Sequence, residues 1–129
     1  MKRYMSNRVR SSENGDVKQR TTELLELVEY IDVKADLADI DLNAHSLLMQ
    51  IHSQLVDKHA LYNDRWIPIR FSGGQPAFFH VNRSSTYTLQ FLNGYQIRST
   101  RNGKTTSEKV WYTDFDRLKF LGLLLDEDF

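Results

Sequence analysis

Apolar positions recur at spacings of three and four between residues 17 and 42, where Leu24, Leu27, Val28, Ile31, Ala35, Ala38 and Leu42 fall on one stripe. That period predicts a helix. Glu23, Glu26, Glu29, Asp32, Asp36 and Asp39 lie mostly outside the stripe, mixed with Leu25, Val33, Leu37 and Ile40. The helix therefore reads as acidic and not cleanly amphipathic, with room for a second buried contact. Asp41 or Asn43 suits the N-cap of a second helix over residues 44–62.

After Asp64 the period changes to two. Ile67, Ile69 and Phe71 alternate along a strand over residues 65–71, and Pro68, lacking an N–H, predicts an edge position for it. Ser72-Gly73-Gly74-Gln75-Pro76 reads as a loop and residues 77–82 as a second strand. Asn93-Gly94 and Asn102-Gly103 then separate three further strands as hairpin turns. For the first hairpin, a three-residue loop of Leu92, Asn93 and Gly94 pairs Leu89 with Ile97 and keeps Tyr87, Leu89, Phe91, Tyr95 and Ile97 on one face. A two-residue loop would split that set, so the three-residue register is preferred. Gln90, Gln96, Arg98 and Thr100 then face outward. Thr113-Asp114-Phe115-Asp116 reads as a capping box with Asp in place of Glu, opening an apolar helix with Leu118, Phe120, Leu121 and residues 123–125. The fold class expected is α+β: two N-terminal helices, a five-stranded antiparallel sheet (a meander) and a short C-terminal helix.

Residues 1–16 offer only Tyr4, Met5 and Val9 as sizeable apolar groups. They read as a basic flexible arm, since they bury too little to offset the entropy of ordering, ahead of a single α+β domain over residues 17–129. The 129 residues are 40% hydrophobic and 26% charged, as in soluble globular proteins, and long enough for a real core. There is no cysteine. That rules out disulfides, thiolate zinc sites and cysteine nucleophiles, and points to a reducing compartment. No apolar run is long enough to span a bilayer, and the basic N-terminus has no apolar segment behind it. A cytoplasmic protein without membrane contact is the expectation.

Charge changes this picture more than composition does. The total is zero, yet residues 1–20 carry six bases and two acids, residues 21–64 two and nine, residues 65–112 seven and one, and residues 113–129 two and five. Each element is expected to carry its own sign, and a surface with opposed electrostatic faces is an argument about partners.

His45, His52 and His59 stand seven residues apart, each followed three residues later by Leu48, Leu55 or Tyr62. This is a heptad stripe, read as an oligomer contact (a dimer) through these six residues. Successive histidines lie about 10 Å apart at about 1.5 Å per residue, so one helix cannot chelate a metal with two of them. Two helices packed about the seam could form a metal site or a pH switch; the plainer reading is of boundary residues whose ring nitrogens reach water, Gln or an acid. Neither a metal nor a cofactor is expected.

Residues 65–112 join seven bases to nine aromatic side chains, Trp66, Phe71, Phe78, Phe79, Tyr87, Phe91, Tyr95, Trp111 and Tyr112. Rings beside cations suit a single-stranded nucleic acid, although strands favour aromatics for packing alone. Arg83, Arg98, Arg101 and Lys104, with Arg8 and Arg10 of the arm, are the candidates for partner or nucleic-acid contact. The acidic first helix reads as a solvated face or as a mimic of a phosphate row, and the charge blocks also fit an inhibitor of a host factor. Ser72-Gly73-Gly74-Gln75 lacks the Lys-Ser/Thr of a phosphate loop, and neither Gly-x-Ser-x-Gly nor His-Glu-x-x-His occurs. His80, followed by Arg83, Ser84 and Ser85, is the one candidate centre for a small ligand-binding protein or enzyme. The expectation is a non-enzymatic accessory protein that self-associates through its helices and binds a macromolecular partner, a protein before a nucleic acid, through a charged face.

Overall fold

The computed structural model describes residues 7–35, 39–72, 74–111 and 113–126. Their order is α1 (Asn7–Leu27), β1 (Ile31–Val33), α2 (Asp39–Asp57), β2 (Ile67–Phe71), β3 (Pro76–Val81), β4 (Tyr87–Phe91), β5 (Tyr95–Ser99), β6 (Thr105–Lys109) and α3 (Asp114–Leu124). The class is α+β, with three helices and a six-stranded mixed sheet in the order β1-β2-β3-β4-β5-β6. Contacts divide the chain into two units. Met1–Val28 with Trp111–Phe129 holds α1 and α3, and Glu29–Val110 holds α2 and the whole sheet.

The five-stranded antiparallel meander expected from the alternation is present as β2 to β6. The sixth strand was missed. Residues 31–33 fit a helical stripe and a period of two equally well, a known ambiguity of short apolar runs. The β-branched Ile31 and Val33 instead turn inward beside β2 while Asp32 is exposed, and β1 pairs in parallel with Ile31 opposite Ile69. α1 accordingly stops at Leu27, and at its other end begins at Asn7. It takes in residues 7–16, assigned from sequence to the arm; residues 1–6 lie outside the described residues.

Pro68 does not put β2 at an edge, because β1 lies beyond it. Phe71 N donates to Gln75 O, which fixes odd residues of β2 as those bonded to β3. The ring nitrogen of Pro68 thus points to the β1 side, one residue before the stretch that β1 pairs. No ladder bond is lost there.

The first hairpin takes the three-residue register, with Leu89 opposite Ile97. Gly94 sits at φ 89°, where a Cβ is disfavoured, and Asn93 Oδ1 accepts from Tyr95 N at 2.9 Å. This register places Leu89, Phe91 and Ile97 in a core with Ile67, Ile69, Ala77, Phe79 and Val81, covered by Leu47, Leu48, Ile51 and Leu55 of α2. Each of these larger side chains, Ala77 apart, contributes about 1.5–3 kcal/mol relative to exposure. Gln90 and Gln96 share the opposite face, as expected, but both are buried rather than facing solvent.

α2 owes its limits to local chemistry. Asn43 is non-helical (φ −160°, ψ 79°) and kinks α2 after its short first stretch, residues 39–42. Its Oδ1 accepts from Ser46 N at 3.0 Å and caps the longer part, where Asp41 or Asn43 was expected to do so. At the other end Ala60 N donates to Leu55 O and His59 N to Val56 O, a Schellman closure with His59 at φ 55°. The helix therefore ends at Asp57 rather than running to Tyr62. Gln54 pins the crossover, accepting from Lys34 N and donating to Lys34 O, both at 2.7 Å.

In the other unit, α3 opens with the capping box read from sequence. Asp116 N donates to Thr113 Oγ1 and Thr113 N to Asp116 Oδ2, each at 3.1 Å. Leu24, Leu118 and Leu121 are buried there, and Trp111 meets Phe120 with centroids 5.1 Å apart.

Candidate interaction surface

The pairing Val81–Tyr87, Tyr87–Ser99 and Ser99–Thr105 brings the β3–β4 turn and the β5–β6 turn to the same end of the sheet. Each turn is built by an asparagine. Asn82 Oδ1 accepts from Ser84 N and Thr86 N, at 2.9 and 3.0 Å. Asn102 Oδ1 accepts from Lys104 N at 3.3 Å and from the Thr100 hydroxyl, while Gly103 takes φ 86°. Short polar side chains that bond their own backbone are what hold such turns.

These turns carry three of the bases singled out from sequence, Arg83, Arg101 and Lys104, and all three are exposed. Arg101 Nη2 donates to Ser85 Oγ at 3.3 Å, linking the two turns directly. Arg98 lies one residue before the end of β5, opposite Thr88 and Thr106, with Glu108 4.0 Å away. Arg83 Nε is 3.3 Å from Asp64 Oδ2. Among the described residues Arg101 and Lys104 have no carboxylate at ion-pair distance. The topology thus gathers four bases that the sequence spreads over twenty-two positions, 83–104.

Sequence reasoning missed Arg65 and its neighbour. Asp64 N donates to Val81 O at 2.8 Å, which brings the start of β2 to this same end. Arg65 is exposed and stands over the ring of Tyr62, 5.2 Å from its centroid, and Tyr62 is 54% exposed. No local pattern signals this pair; only the crossover through α2 brings it beside the turns. Arg8 and Arg10 lie on α1, in the other unit, and their side chains are outside the described residues.

No family model matches this chain, and no curated protein or solved structure is similar to it. The surface must be judged on its own chemistry.

The histidine stripe is not an open seam. Leu48 and Leu55 are 0% exposed within the core of one chain, so neither reaches a second copy. His59 and Tyr62 lie beyond the end of α2, so the third heptad does not form. The repeat of seven marks the side of α2 that covers the sheet. His45 Nδ1 lies 2.6 Å from Ser99 Oγ, which also accepts from Thr105 Oγ1 at 3.3 Å. Ser99 is 0% exposed, and this Ser–His pair ties α2 to β5 and β6. His52 meets the Tyr87 ring edge-on, 5.3 Å between centroids, and burial lowers its pKa. Among the described residues no group of His, Asp and Glu is placed to hold a metal ion.

His80 is half-buried on the opposite sheet face, 4.9 Å from the Trp66 ring. Burial pulls its pKa down, while the charge of Asp64 and a hydrogen bond to the Asp64 backbone act the other way. Since Asp64 also pairs with Arg83, His80 belongs electrostatically to the basic end. Ser85, grouped with His80 in the sequence, accepts a hydrogen bond from Arg101. No helix among the described residues is long and apolar enough to cross a membrane.

Proposed function

We propose that this protein is a non-enzymatic accessory protein that binds an anionic macromolecular partner through the basic end of its sheet. The observation that carries the reading is the bond from Arg101 to Ser85, which links the turn bearing Arg83 to the turn bearing Arg101 and Lys104. Cations gathered at one end of a sheet attract an acid or a phosphate and steer its association. Helix-mediated self-association is not retained, because Leu48 and Leu55 are spent inside the chain.

Nucleic acid as the partner is favoured by one specific feature, the exposed Tyr62 ring beside Arg65 at the same end. A ring flanked by cations is a stacking platform for an unpaired base. The test is binding to labelled single-stranded and duplex oligonucleotides, and to an acidic polypeptide, across a salt series. Nucleic acid predicts a log–log slope of about −0.7 to −0.9 per phosphate contact, reduced by about one contact each in Arg101→Glu and Lys104→Glu. Binding of the acidic polypeptide alone would assign the surface to a protein partner. Failure of every anionic probe at low salt would overturn the reading.

A further inference from the structure

Among the described residues no strand pairs with the outer edge of β6, the last strand of the sheet. All five residues of β6, Thr105–Lys109, are exposed. Thr100 N donates to Lys104 O and Val110 N to Gly94 O, so the even-numbered residues of this segment are those bonded to β5. The N–H and C=O groups of Thr105, Ser107 and Lys109 therefore point away from the sheet. Natural edges are commonly blunted by proline, a bulge or an inward charge. β6 carries none of these in its middle; Thr, Thr and Ser make it flat and small-sided, and its charges stand at one end.

We propose that β6 pairs antiparallel with β6 of a second copy about a twofold axis at Ser107, making one continuous sheet. The strand itself selects this occupant and this register. Centred on Ser107, Thr105 opposes Lys109 of the second copy, and every outward N–H and C=O of both strands finds a partner. Thr106 then opposes Glu108, and no like charges face each other. A shift that centres the axis on Glu108 sets Glu108 against itself, and one centred on Lys109 sets two lysines together; both are disfavoured. Centring on Thr106 leaves Lys109 outside the ladder. A twofold contact is also self-limiting, since it consumes the edge it uses. Because one strand edge buries less than a standard interface, the association is reversible, with a Kd of about 0.1–1 mM. This inference does not rest on the proposed function.

The test is sedimentation equilibrium of the full chain from about 10 µM to 1 mM, bracketing that Kd. Reversible dimerisation is expected. Ser107→Pro deletes an outward N–H without touching the β5 ladder and should abolish it. Thr106→Glu places an acid against Glu108 of the second copy at two symmetric positions and should weaken the dimer by about fivefold, while Thr106→Lys should tighten it by a similar factor. If Ser107→Pro unfolds the chain, the opposed signs of the two Thr106 variants still decide the matter. Ser107→Cys supplies the only cysteine of the chain. Mild oxidation should join two copies through it, and Thr105→Cys should join them far more slowly. A monomer at every concentration, Thr106 variants that shift in the same direction or not at all, or faster coupling at residue 105 would each overturn the proposal.

Discussion

His59 holds a backbone conformation that side chains resist. It sits at φ 55° in the position that closes a Schellman motif, where glycine is the usual residue. The ring is exposed, and among the described residues no hydrogen bond, ion pair or ring contact requires histidine there. His59→Gly is therefore expected to stabilise the fold by about 0.5–1 kcal/mol, read as a higher denaturation midpoint at unchanged m-value. His52 and His80 behave differently, since burial lowers the pKa of both. Each folded-state value lies below the unfolded one, so the unfolded chain binds more protons once the pH drops under about 6.5. Their contribution to stability is complete above that pH and is lost as the pH falls through the folded values. Denaturation midpoints should accordingly decline from pH 7.5 to pH 5, and the decline should be shallower in His52→Gln. An identical slope in that variant would show that His52 does not carry the effect. At this scale spacing alone is ambiguous: a repeat of seven is shared by an oligomer seam and by any helix side laid against a sheet. Here Leu48 and Leu55 face the sheet while His59 and Tyr62 lie beyond the helix.

Where elements begin and end was legible wherever a side chain bonds the neighbouring backbone. Asn43, Thr113 with Asp116, and Asn93-Gly94 all act within a few residues of themselves. The turn and the capping box stand where the sequence puts them, and Asn43 is one of the two caps, with Asp41, that the sequence offers. Asn43→Ala should cost about 1 kcal/mol through loss of the cap, measurable by chemical denaturation, while leaving the helical signal of the native state in place. Elements fixed by distant partners were not legible. β1 exists because β2 offers an edge to Ile31 and Val33, more than thirty residues further along the chain. The far end of α2 is set by a turn of backbone hydrogen bonds with no glycine to announce it. Pro68 signalled an unpaired N position correctly, yet an unpaired position is not an edge strand when the neighbour is only three residues long.

For the whole molecule, charge blocks along the chain do not translate into charged bodies. The acidic stretch of residues 21–64 is divided between the two contact units, and the sheet-bearing unit receives acidic and basic segments together. The local concentration of positive charge instead comes from two turns and the start of β2 converging at one sheet end. The core separates the competing roles of α2 in the same way. Leu48→Ala is expected to destabilise the fold by about 2–5 kcal/mol by opening a cavity, with no change in self-association of the folded fraction. A change of oligomeric state at unaltered stability would restore the helical seam.

Alone, the sequence determined whatever depends on a residue and its near neighbours: the α+β class, the five-stranded meander and its first-hairpin register, a cap for the second helix at Asp41 or Asn43 and the capping box of α3. Period, turn chemistry and capping act over distances that the chain itself fixes. Tertiary structure decided the sixth strand, the burial of Leu48 and Leu55 against the sheet, and the meeting of Arg101 with Ser85. Each joins residues far apart in sequence, and no local pattern encodes which distant partner will satisfy a strand edge, a helix face or a guanidinium.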